Sequence, residues 1–97
     1  MRVLKTPDRS VAVVEGALDA THVRLHHAEW SLVVIDPSAD VLIDLRACIA
    51  IDGSGIALLI SLMRRTRNAG GSVRLKHASG QPAELLRQLG IEQVIAA

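Results

Sequence analysis

Asp52, Gly53, Ser54 and Gly55 are where residue types and spacing in this chain point most directly to chemistry. A carboxylate and a hydroxyl two residues apart, interleaved with glycines, lie between an apolar run, Val41 to Leu45, and a helix-patterned segment that reaches Asn68. The order strand, loop, helix puts Ser54 at the start of a helix. Backbone N–H groups there lack intrahelical partners and carry a partial positive charge, so a hydroxyl or an anion meets donors already aimed at it. Three uses stay open at this point: a tip presented to another protein, a phosphate-cradling loop, and a helix cap in which Ser54 or Asp52 accepts from the first turn.

Other chemistries find less support. Neither Gly-x-x-x-x-Gly-Lys-Ser/Thr nor Gly-x-Gly-x-x-Gly is present, which weighs against a nucleotide site. A hydrolase elbow needs glycines two residues either side of the serine, where Asp52 and Ile56 stand. His77 is the sole histidine outside the first helix-patterned segment, so a catalytic triad would need a coincidence nothing else in the sequence supports, and the chain is not expected to be an enzyme. His22 and His26 stand four apart with Glu29 three further on, and one helical face would present all three to a metal. Without a cysteine or another histidine at ligand spacing, a solvated polar face is expected there, with no metal and no cofactor. Cys48 reads as a small core residue rather than a redox sensor. Arg64, Arg65 and Arg67 suit the negative end of a helix and can complement an acidic patch on a protein partner. Lacking interleaved aromatics, they do not read as a nucleic-acid surface.

Ninety-seven residues suit one domain, spanning 1–97. Apolar residues make up 49% of the chain while Trp30 is its one aromatic, so the core must be built from Val, Leu, Ile and Ala. A formal charge of +1 gives no general attraction to nucleic acid or to an anionic membrane. The lone cysteine excludes an internal disulfide, the amino terminus lacks the pattern of a secretion signal, and a cytoplasmic location is expected. Apolar stretches such as Ile56 to Ile60 fall far short of the roughly 18 residues that span a bilayer.

Elements must hold the Asp52–Gly55 loop in place. Met1 to Lys5 and Ser10 to Glu15 flank Thr6-Pro7-Asp8-Arg9 and predict a β-hairpin whose second strand ends at Gly16. Asp19 is placed to cap a helix through Trp30, with Leu25, Ala28 and Leu32 on one stripe, although Leu32 to Ile35 also suits a strand. Val41 to Leu45 predicts a buried strand. The helix from Ser54 to Asn68 is apolar nearly all round in its first half and ends at Gly70-Gly71. Ser72 to Lys76 alternates as a strand. A last helix begins near Pro82, carries Leu85, Leu86 and Leu89, and stops at Gly90; Val94 and Ile95 add a short edge strand. Successive β-α-β units predict an α/β domain with parallel pairing of the later strands.

Taken in order, these features resemble a STAS domain. Gly16-Ala17-Leu18-Asp19 is similar to that family's Gly-x-Leu-Asp after the second strand. Ile51-Asp52-x-Ser54-Gly55-Ile56 resembles its Asp-Ser-Ser/Thr-Gly-Leu turn, Gly70-Gly71 with Val73-Arg74-Leu75 its Gly-Gly and following strand, and Leu89-Gly90-Ile91 its late Gly-Leu. The resemblance covers nearly the whole chain. It implies a mixed β-sheet of about five strands flanked by three to four helices.

The resemblance also implies a non-catalytic, protein-binding regulator of transcription of the anti-sigma factor antagonist kind, using Asp52, Gly53, Ser54 and Gly55 and the helix that follows. The partner would be an anti-sigma factor of the serine kinase-like fold. Asp52 would shape the loop, and Gly53 and Gly55 would let the partner approach the backbone. In such antagonists the residue after the aspartate is the phospho-acceptor; here it is Gly53, which has no oxygen to modify. Ser54, one position on, is the remaining candidate acceptor. A second branch of the resemblance, carried also by Ile56-Ala57-Leu58-Leu59, implies a STAS subunit on the ATPase of an ABC lipid or solute transporter. A nucleotide- or small-molecule-binding domain using the same helix start is the alternative of another class.

Overall fold

Arg2–Lys5 (β1) and Arg9–Leu18 (β2) pair antiparallel, with Val3 opposite Ala12, around a turn closed by Thr6, whose Oγ1 accepts from Arg9 N–H at 3.1 Å. The remaining elements of this computed structural model, which describes residues 1–91 and 95–96, are helices Ala20–Leu25 (α1) and His27–Val34 (α2), strand Asp40–Ile51 (β3), helix Gly53–Asn68 (α3), strand Ser72–Lys76 (β4), helix Gly80–Gln88 (α4) and strand Ile95–Ala96 (β5). The sheet has the order β1-β2-β3-β4-β5, parallel from β2 onward. Its fifth strand is only two residues long. The expected Val94 lies outside the described residues.

Each crossover steps one strand further in the same direction. Right-handed crossovers of that kind set all their helices against one face of the sheet. The register agrees: Ser10 pairs with Val41, Ala12 with Ile43, Val41 with Val73 and Ile43 with Leu75, and every one of these side chains is buried. Leu18, Val33, Leu45, Leu59, Leu62 and Leu86 complete the same core. The alternate residues, Val11, Val13, Leu42 and Arg74, face away and stay partly exposed.

Several boundaries differ from the sequence reading. β2 does not stop at Gly16; Gly16 adopts a φ of +77° within a bulge, and the strand resumes to Leu18. β3 runs past Leu45 to Ile51 because its far end has two partners. β2 pairs with it on one side, and on the other the Gln81 side chain takes the place of a strand, accepting from Ile51 N–H at 2.8 Å and donating to Ile51 C=O at 3.0 Å. The Asp19 cap forms, its Oδ1 accepting from His22 N–H at 2.9 Å, but the helix breaks at His26. The break changes the phase of the buried face. Leu25 and Leu32, expected on the apolar stripe, are 74% and 57% exposed, while His22, Trp30 and Val33 are buried. Leu32 to Val34 is helical, not a strand.

Candidate functional site

The candidate loop is built by the end of β3 and the first turn of α3. Asp52 is extended (φ −107°, ψ −172°) and caps the helix, its Oδ1 accepting from Gly55 N–H at 3.0 Å. Its backbone N–H reaches Leu18 C=O at 3.3 Å, which ties the loop to the end of β2. The cap therefore belongs to Asp52 and not to Ser54. Ser54 is the second helical residue, exposed, and its hydroxyl makes no hydrogen bond among the described residues.

The two glycines have opposite surroundings. A Cβ on Gly53 would meet nothing within 4 Å, so this exposed position has room for any side chain. Gly55 is buried, and a Cβ there would stand 2.3 Å from Leu18 C=O and 2.9 Å from both Ile51 Cγ2 and Leu18 Cγ. Its missing side chain lets α3 close onto the ends of β2 and β3. The expected role of Gly55, opening the backbone to a visitor, is thus taken up by an internal contact. Asp52, Gly53 and Ser54 remain as the exposed tip.

Along α3 the outward residues Ala57, Ile60, Ser61, Arg64 and Arg65 form one wall of a groove of about 990 Å³ whose other wall is Ile35, Asp36 and Pro37 after α2. Ile35 is 69% exposed and Ile60 39%. Arg64 and Arg65 are exposed and make no ion pair among the described residues. The groove was not legible in sequence, because it depends on how the end of α2 meets α3. What the arrangement offers is a polar tip carrying a free hydroxyl, one helical turn before a groove in which Ile35, Ala57 and Ile60 stand among Asp36, Ser61, Arg64 and Arg65.

The remaining candidates are accounted for internally. Trp30 Nε1–H donates to His22 Nε2 at 3.0 Å, which occupies one of that ring's two nitrogens, and no group of three or more His, Cys, Asp or Glu side chains among the described residues is placed to hold a metal. Cys48 is buried beside Ala50 C=O, and burial pushes its thiol pKa up, away from the reactive thiolate. No helix among the described residues is long and apolar enough to cross a membrane.

Sheet order, one-sided helices and an exposed strand-to-helix tip define a STAS domain. Residues 1–96 match the family model described as Mlab, STAS domain, and the chain belongs to this family. Among solved structures, the anti-sigma factor antagonist SpoIIAA in its unphosphorylated form superposes with a TM-score of 0.83 at 18% identity, covering 98% of this chain and 84% of that one. An anti-sigma factor antagonist from Mycobacterium paratuberculosis gives 0.79 at 18% identity, covering 97% and 80%. A sulfate transporter family protein from Wolinella succinogenes gives 0.72 at 13% identity, covering 97% and 80%. At such identities these likenesses establish the fold. No curated protein matches the chain by sequence.

Proposed function

We propose that this protein is a non-catalytic regulatory module that binds another protein through the exposed tip Asp52-Gly53-Ser54 and the outward side of α3. The observation that carries this reading is the tip itself: an exposed hydroxyl without a partner among the described residues, on a capped helix start, one helical turn before an open groove lined by apolar and charged side chains. The partner we favour is an anti-sigma factor of the serine kinase-like fold, in keeping with the antagonists that share the fold.

Gly53 removes the hydroxyl at the position where such antagonists are modified, and Ser54 is the one nearby acceptor. Phosphate there would add about −1.5 to −2 charge. The helix N-terminus favours that charge, whereas Asp52 and a desolvated interface oppose it, so modification weakens binding.

Capture from native cells with wild type and Ser54→Asp tests the reading. Recovery of a serine kinase-like protein by wild type and its loss with the variant supports it. A transporter ATPase subunit in its place supports a second reading, a transporter-associated STAS subunit, with which the likeness to a sulfate transporter family protein is in keeping. Recovery of neither removes both.

A further inference from the structure

His22 is bonded to the chain's one aromatic side chain across the corner between α1 and α2. An indole N–H can only donate, so His22 Nε2 is the acceptor in the 3.0 Å bond and the neutral imidazole carries its proton on Nδ1. The rings meet edge-on with centroids 6.1 Å apart, and the two residues are 6% and 2% exposed. No other side-chain hydrogen bond among the described residues joins α1 to α2. Trp30 also lines, with Val34, Ile35 and Leu58, the seam where α2 meets α3. Ile35 is in turn a wall of the groove along α3.

The charges facing His22 come from every side. Asp19 caps its own helix, and His26 at the corner has its ring 4.6 Å away and its Nδ1 3.7 Å from Glu29 of α2. The Met1 ammonium, 3.6 Å from Glu15, approaches from the start of β1. Burial first, then His26 and the ammonium, lower the pKa of His22 below the ordinary 6.5, while Asp19 and Glu29 pull it upward.

We propose that the His22–Trp30 hydrogen bond is a proton-operated latch: a proton taken from solvent onto Nε2 turns the acceptor into a donor facing a donor, breaks the bond and loosens α1 from α2. Release leaves a cationic ring beside His26 in a buried site, so the corner opens instead of rearranging in place.

With no Tyr or Phe in the chain, Trp30 emission and the indole N–H resonance report this one bond. The full-length chain is titrated from about pH 8 to about pH 5, following both signals and the histidine ring protons, in wild type, His22→Gln and His26→Gln. In wild type the indole signals follow His22 with one shared midpoint below 6.5. In His22→Gln, whose amide oxygen accepts without titrating, they are flat. In His26→Gln the transition persists and moves toward 6.5, because a neighbouring cation is gone. A wild-type indole signal that stays flat while His22 titrates, or a transition that survives in His22→Gln, overturns the latch. Should His22→Gln fail to fold, the wild-type comparison of ring and indole midpoints decides alone.

Discussion

Replacing Gly55 with alanine probes the contact on which the candidate tip depends. The new methyl would lie 2.3 Å from Leu18 C=O and 2.9 Å from Ile51 Cγ2, and neither the carbonyl nor the strand end can swing aside as a flexible side chain would. To restore ordinary contact the first turn of α3 must retreat by about 1 Å, and overpacking of that kind costs about 1–3 kcal/mol. Alanine in place of glycine in a helix returns about 0.5–1 kcal/mol. The overpacking wins, for a net loss of about 1 kcal/mol and a fall in Tm of about 5–10 °C in a domain of this size. Gly53→Ala is the matched control: its Cβ meets nothing within 4 Å, so only the conformational gain remains and stability rises by up to about 1 kcal/mol. Urea and thermal unfolding of both variants read the difference. Equal midpoints for the two alanines would refute the close approach of α3 to β2 and, with it, the account of how the tip is held.

Asp52→Ala removes the cap on α3 and lowers stability by about 1 kcal/mol in urea unfolding, while Asp52→Asn keeps an accepting oxygen and loses a fraction of that. Gln81→Ala strips the partners from both backbone groups of Ile51 at a cost of about 1–3 kcal/mol, read by faster amide exchange at Ile51 than at Ile43. Because burial lowers the folded pKa of His22, its contribution to stability is complete above pH 6.5 and is lost as pH falls from there through the folded value; urea midpoints of wild type decline over that window, and those of His22→Gln decline less. Ile60→Asp places a charge among the apolar residues of the groove without touching the core; partner capture drops while stability moves by no more than a surface change allows, about 0.5 kcal/mol.

Local signals sufficed where a single element's chemistry decides the outcome. The hairpin, the Asp19 cap, the helix after Asp52, its termination at Gly70-Gly71 and the strand from Ser72 were legible because apolar alternation, capping carboxylates and glycines act within a few residues. The STAS resemblance followed from the order of those features. The break at His26 escaped the reading, since nothing in Leu25-His26-His27 forbids a continuing helix; a buried His22 bonded to Trp30 settles the phase. The length of β3 escaped it too, because its last residues are held by a glutamine thirty positions away.

Within the site, the chain alone established a carboxylate and a hydroxyl interleaved with glycines at a helix start. Tertiary structure alone assigned their duties, giving the cap to Asp52, the free hydroxyl to Ser54 and an inward packing role to Gly55. Two glycines of identical composition differ because one faces solvent and the other faces a strand end, and that difference arises from the distance between segments far apart in the chain.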